Sequence, residues 1–196
     1  MNKQPEITAA TRQRFVDVFC ALYATQPISK INVKEIAARA GYNRSTFYQY
    51  FNDVYDIQNY IENQLMDDIR KNVFSQLSLD LRNHTVGDSY LTLANAFLHT
   101  NETRLRLLLA NPYNHHFPVR LKDEALHVFI DTLSLPSKDA TVYYTFEFYI
   151  GGVLSLISKW LTDQNAISLE ELTTLVKNIL ENGVLAQLSE CQKTAQ

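Results

Sequence analysis

Apolar residues recur at helical spacing along nearly the whole chain, and the polar residues between them mark where each helix starts and stops. Phe15, Val18, Phe19, Leu22 and Tyr23 fall at i, i+3, i+4, i+7 and i+8, which predicts a helix from Thr8 to about Thr25, ended by Pro27 after a polar arm at 1–7. Val33, Ile36, Ala37 and Ala40 form the apolar face of a short second helix. Asn32 caps it, with Glu35 completing a capping box, and Gly41 offers the positive φ at which helices commonly end. Asn43 caps a third helix of two turns, Arg44 to Phe51, whose Phe47 and Phe51 pack back on the second. Asn52 or Asp53 then opens a long helix through Tyr55, Ile57, Tyr60, Ile61, Leu65, Ile69 and Val73 to about Leu79, with no break in the pattern.

Shorter helices follow at about 85–99, 102–110 and 118–134, punctuated by Pro112, Pro118 and Pro136, with an ordered loop at 111–118. The segment 139–162 is apolar almost all round. Ser168 and Glu171 form a capping box for a last helix over 168–188, with Leu172, Leu175, Val176, Ile179, Leu180 and Val184 as its stripe. The predicted fold is all-α: an N-terminal three-helix helix-turn-helix domain (1–53), joined by a long rigid helix to a C-terminal helical bundle (54–196).

Two capped helices joined by a glycine turn form a helix-turn-helix, whose second helix can enter the major groove of DNA. The side chains left on its outer surface suit that task. Asn43, Arg44, Ser45, Thr46, Tyr48, Gln49 and Tyr50 supply groups suited to phosphate oxygens and base edges. A buried helix would not carry so many polar groups without partners. A plain helical hairpin with a solvated face is the alternative that these residues alone leave open.

Charge sharpens the picture. The chain of 196 residues carries a net charge of −3, and it is uneven. Residues 1–55 hold seven Lys/Arg against four Asp/Glu, a net +3, leaving −6 on the remainder. A basic head on an acidic body suits a protein that presents one end to nucleic acid. Cys20 and Cys191 have no metal or redox spacing and no apolar leader precedes them, which fits a cytoplasmic protein with Cys20 buried as a small apolar residue. His115 and His116 are adjacent and lack the i, i+4 spacing of paired helical ligands, so no metal and no cofactor are expected. No nucleophile elbow, phosphate-cradling glycine loop or paired carboxylate motif appears, which argues against an enzyme. The competing class is a non-regulatory helical scaffold or enzyme with an incidental helix-turn-helix.

The run Val33-x-x-Ile36-Ala37-x-x-Ala40-Gly41 followed by Thr46-Phe47-Tyr48-x-Tyr50-Phe51 resembles the DNA-binding signature of TetR-type regulators, and the helix with Phe15, Phe19 and Leu22 is similar too. The resemblance implies a transcriptional repressor that reads a palindromic operator in double-stranded DNA as a homodimer. It gives phosphate contact to the tyrosine of the third helix. Arg44 and Gln49 are then the candidates for base edges, with Thr46, Tyr48 and Tyr50 on phosphates. Two positions depart from the pattern: Ser45 stands at a small-residue position, and Val54 stands where the family usually has a phosphate-contacting lysine.

The segment 139–162 is long enough to raise a membrane reading. Glu147 and Lys159 oppose it, since a charge near the bilayer centre costs roughly 2.5–3.5 kcal/mol. Gly151 and Gly152 each cost about 1 kcal/mol of helix propensity, which close approach by a neighbouring helix can offset. The run from Phe148 to Leu161 and the Ser168 helix resemble the C-terminal half of the DhaS-like branch of that family. The implied dimer interface is a four-helix bundle through Gly151, Gly152, Leu156, Trp160, Leu172, Val176 and Ile179. The acidic body is expected to enclose a site for a small-molecule effector, lined by Tyr90, Phe97, Tyr113, Phe117, Tyr143, Phe146 and Tyr149, with His116 and Glu147 as polar handles.

Overall fold

The computed structural model describes residues 5–83, 87–136, 139–163 and 167–184. The described residues form helices and no strand: α1 (Pro5–Tyr23), α2 (Val33–Ala40), α3 (Arg44–Phe47), α4 (Val54–Ile69), α5 (Ser75–Arg82), α6 (Asp88–Thr100), α7 (Glu102–Leu109), α8 (His116–Leu133), α9 (Ala140–Thr162) and α10 (Leu169–Ile179). The last residues of the expected C-terminal helix beyond Val184, the start of the expected polar arm, and Cys191 lie outside the described residues. The chain divides into two compact units, Met1–Leu65 with Asn111–Asn114, and Met66–Ala110 with His115–Gln196.

The first unit is built on aromatic residues. Phe15, Phe19 and Tyr23 of α1 are fully buried, as are Ile36 of α2, Phe47 of α3 and Ile57 and Leu65 of α4. Cys20, expected to be buried with them, is half-buried. Polar groups inside this unit are paired. Gln58 Nε2 donates to Glu62 Oε1 at 2.9 Å and Asn114 Nδ2 donates to the same oxygen at 3.3 Å. Asn111 Nδ2 donates to the Tyr23 carbonyl at 3.0 Å, and its Oδ1 accepts from the Tyr113 amide at 2.9 Å. These bonds order the 111–114 loop, and α8 begins soon after it, at His116.

The long helix expected from Asp53 does not run unbroken. After Ile69 the backbone makes one π turn, Arg70–Phe74, and resumes as α5. An i→i+5 turn sets residues five apart on one face, so Ile69 and Phe74 both reach the interior. The turn is anchored from outside. Arg70 reaches both carboxylate oxygens of Glu124 on α8, at 2.6 and 2.9 Å, and Asp67 at 3.0 Å. The hydrogen bonds from Arg70 hold the Glu124 carboxyl below its ordinary range.

In the second unit, α9 packs on α7 and α8, and α10 packs on α6. Phe146 tilts against Phe129 of α8 with ring centroids 4.5 Å apart. Lys122 Nζ of α8 donates to Glu147 Oε1 at 2.5 Å, so the charge on α9 that opposed a membrane reading is met by a half-exposed partner on the neighbouring helix. By length and composition α9 could still cross a membrane, but Val142, Phe146, Tyr149, Ile150 and Leu161 are buried in the unit itself. The capping box at Ser168 forms in full.

Burial raises the pKa of three tyrosines. Tyr23, beside Glu62, is pushed up to about 12, Tyr90 near Asp80 also to about 12, and Tyr149 upward as well. Above an ordinary tyrosine pKa of about 10 the unfolded chain loses these protons first. Stability should therefore hold up to about pH 10 and fall as pH rises toward 12. Urea denaturation midpoints across this range should show the decline, and Tyr23→Phe should make it shallower.

Candidate nucleic-acid interface and interior cavity

The interface rests on a short helix held from below. Asn32 caps α2 by accepting from the Glu35 amide at 3.0 Å. The Glu35 carboxylate, expected to return to Asn32 and close a capping box, pairs with Arg39 at 2.8 Å instead. Gly41 ends α2 at φ +80°, a backbone angle that side chains disfavour. Asn43 then caps α3. Its Oδ1 accepts from the Thr46 amide at 2.8 Å, Thr46 Oγ1 at 2.9 Å and Ser45 Oγ at 2.7 Å.

The regular part of the third helix is Arg44–Phe47, shorter than the two turns expected. Beyond it the amides of Gln49 and Tyr50 bond to the carbonyls of Thr46 and Phe47, three residues back. This tighter winding keeps both Phe47 and Phe51 buried. Phe47 meets Phe15 edge-on, with centroids 5.3 Å apart, and Tyr42 and Tyr50 tilt against the same Phe15 ring at 5.3 and 5.9 Å. The Arg12 guanidinium lies 6.0 Å from the Tyr50 ring and 5.7 Å from that of Tyr60, within cation–π range.

The outer surface is polar. Asn43, Arg44, Ser45, Tyr48 and Gln49 are exposed, and Thr46 and Tyr50 are half-buried. Tyr48 is 57 % exposed and sits edge-on to Phe47 at 5.6 Å. Lys34 and Arg44 are exposed and carry no ion pair among the described residues. Ser45 and Thr46 give their hydroxyl protons to the Asn43 cap, which leaves each hydroxyl oxygen able only to accept from an outside group. Val54 is buried as the first residue of α4, and the next residue, Tyr55, is exposed; Asp53 caps this helix by accepting from the Asp56 amide at 2.8 Å.

The second unit contains a cavity of about 150 Å³ between α5, α6, α7, α8, α9 and α10. Tyr90, Phe97 and Tyr149 of the expected lining are in its wall. Phe117, Tyr143, Phe146, His116 and Glu147 lie outside that wall, and Tyr113 belongs to the first unit. Phe117 and Phe146 are packed core, while His116 and Tyr143 are exposed. Leu121, Phe129, Ile150, Leu154, Leu172 and Val176 complete much of the wall. Helical spacing marks all of them as apolar, but not which cavity they face.

The apolar stripe of α10 divides between two faces. Leu172, Val176 and Leu180 are in the cavity wall, whereas Leu175 and Ile179 are exposed. On α9, Tyr144 is 70 % and Phe148 81 % exposed, and Gly152 continues their line. A Cβ added at Gly151 or Gly152 would meet nothing within 4 Å, so no packing among the described residues requires either glycine. Leu156 and Trp160 are half-buried, and the Trp160 indole donates to the Ile167 carbonyl at 2.9 Å. His115 is exposed like His116, and among the described residues no three His, Cys, Asp or Glu side chains gather as metal ligands.

Residues 16–56 match the family model described as bacterial regulatory proteins, tetR family. Three solved structures share the fold. A TetR transcriptional regulator from Streptococcus agalactiae aligns at a TM-score of 0.62 and 19 % identity, covering 88 % of this chain and 94 % of that one. The dihydroxyacetone kinase operon activator DhaS aligns at 0.57 and 19 %, covering 92 % and 97 %. The fatty acid degradation regulator FadR from Bacillus halodurans aligns at 0.59 and 15 %, covering 93 % and 98 %. No protein of curated function matches the chain significantly.

Replacing Asn43 removes the acceptor shared by three donors at the start of α3. Asn43→Ala should destabilise the protein by about 1 kcal/mol, within the range of about 0.5–2 kcal/mol for lost N-caps. Thermal or urea unfolding measures this without any DNA present.

Proposed function

We infer that this chain, a member of the tetR family of bacterial regulatory proteins by its N-terminal domain, is a DNA-binding transcriptional regulator. It is a binding protein of the cytoplasm rather than an enzyme. It reads a palindromic operator as a homodimer, represses transcription there, and is released by a small molecule held in the second unit. The observation that carries this reading is the exposed polar surface of α3, mounted on a buried aromatic cluster in a segment that matches the family model.

Arg44 and Gln49 are assigned to base edges, and Tyr48, Tyr50 and Thr46 to phosphates. Asn43 and Ser45 set the start of the helix and offer further contacts. With Val54 buried, exposed Tyr55 takes over the phosphate contact at the start of α4. A single reading helix of this length makes few contacts, so two heads must act together. Half-sites in helix-turn-helix dimers lie about 34–36 Å apart or a multiple of that.

The dimer face runs along Tyr144, Phe148 and Gly152 of α9 and Leu175 and Ile179 of α10. These apolar residues are exposed in the single chain, and the glycines leave room for a partner helix. Of the interface residues implied by the family resemblance, Gly151, Leu156 and Trp160 flank this face. Leu172 and Val176 support it from the cavity side.

Selection of bound DNA from random fragments supplies the operator, and binding is then measured against it. Arg44→Ala should weaken binding by about 1–3 kcal/mol and relax preference at one base pair. Tyr48→Phe should weaken all sequences alike. Unchanged affinity in both variants would remove α3 from the interface. On deletion, a rise in transcript from the operator's gene marks repression, and a fall marks the activation named for DhaS.

The dimer is tested separately. Gly152→Ala should stabilise the isolated fold by up to about 1 kcal/mol through helix propensity. Gly152→Phe should dissociate the dimer in sedimentation at micromolar concentration and weaken operator binding with it. A wild-type protein that sediments as a monomer at that concentration would exclude the symmetric reading.

A further inference from the structure

The cavity wall is chemically one-sided, and that restricts what can enter it. We propose that the second unit binds an uncharged, hydrocarbon-rich molecule of about six to ten non-hydrogen atoms carrying one hydrogen-bond-accepting oxygen, which the Tyr90 hydroxyl holds. This names the chemical class of the effector and rests on the reading of the cavity as the effector site.

Size comes first. An apolar cavity of about 150 Å³ is large enough for a benzene-sized ring. Charge is decided by the wall. Leu77, Leu98, Leu109, Phe129, Ile150 and Leu154 are typical of it, and among the described residues no Lys, Arg, His, Asp or Glu side chain lines it. A ligand carboxylate or ammonium would lose its hydration there and gain no counter-charge. The nearby Asp80 carboxylate, which accepts from Gln76 Nε2 at 2.8 Å and the Gly87 amide at 2.7 Å, adds repulsion against an anion. The same desolvation that raises the pKa of Tyr90 and Tyr149 would act against any ionised ligand.

The polar handle follows from the hydrogen bonds. Three polar side chains line the cavity: Tyr90, Tyr149 and Thr173. Thr173 Oγ1 is engaged by Asn95 Oδ1 at 2.9 Å and by carbonyls of its own helix. The Tyr149 hydroxyl donates to the Val176 carbonyl at 3.5 Å. The Tyr90 hydroxyl makes no hydrogen bond among the described residues, and its side chain stands in the cavity wall. It is therefore the donor that a ligand oxygen can take up, and it shares an otherwise apolar wall with Tyr149.

Three probes of nearly one shape separate these terms by calorimetry on the full chain at pH 7. Acetophenone carries the carbonyl, isopropylbenzene lacks it, and benzoate replaces it with a charge. Acetophenone should bind about tenfold more tightly than isopropylbenzene, and benzoate at least a hundredfold more weakly than acetophenone. Tyr90→Phe should abolish the advantage of acetophenone while isopropylbenzene binds as before, which also shows that the variant is folded. Ala125→Phe, which fills the cavity from α8, should abolish binding of both neutral probes. Failure of both neutral probes to bind the wild-type protein overturns the proposal, as does benzoate binding that matches acetophenone. An acetophenone advantage that survives Tyr90→Phe overturns the role of Tyr90. If acetophenone binds but operator affinity does not change, the release mechanism fails and the chemical class stands.

Discussion

The first unit depends on one contact, the burial of Phe47 against Phe15. Phe47 is the only fully buried residue of α3, and its ring is held by α1 through an edge-on contact. Everything exposed on the third helix is aimed by that anchor. Arg44, Tyr48 and Gln49 project from a segment too short to be a stable helix in isolation, so their geometry is inherited from the aromatic cluster beneath. Tyr42 and Tyr50 close on the same Phe15 ring. A change in that small core would move the exposed surface of α3 without touching any of its polar groups.

The second unit follows a different rule. Helix α9 is apolar nearly all round, and three environments share its surface. Phe146 meets Phe129 in solid core, Tyr149, Ile150 and Leu154 face a cavity, and Tyr144 and Phe148 face outward. Helix α10 repeats the division on a smaller scale, with Leu172 and Val176 inside and Leu175 and Ile179 outside. A single chain hides only part of this apolar surface. The π turn at Arg70–Phe74 borders the same cavity, since Ile69, Val73 and Phe74 stand in its wall. The Arg70–Glu124 pair holds that turn against α8 from the solvent side.

The all-α class, nearly every helix start and the capped hairpin of α2 and α3 were legible in the sequence alone. These features rest on local physics. A cap such as Asn43 or Ser168, a positive-φ glycine such as Gly41, and a 3.6-residue apolar period act within one or two turns of chain. The hairpin needs no distant residue to be recognised, only Phe47 and Phe51 placed to pack and polar types placed to remain outside. Charge division between head and body is likewise a property of the residues in order.

Tertiary structure decided what distance along the chain conceals. The helix from Asp53 reads as unbroken because neither Gly nor Pro interrupts it; Arg70 of the π turn is paired with Glu124, more than fifty residues away. Glu35 pairs with Arg39 rather than closing its capping box, a choice between two local partners that residue spacing leaves open. Helical periodicity marks an apolar residue as facing inward but cannot say what it faces. Tyr90 and Tyr149 both line a cavity, Phe146, outside that wall, packs against Phe129, and Tyr113 joins the other unit. Local rules act between neighbours in sequence, whereas a cavity is the space left where helices from distant segments fail to fill the volume between them.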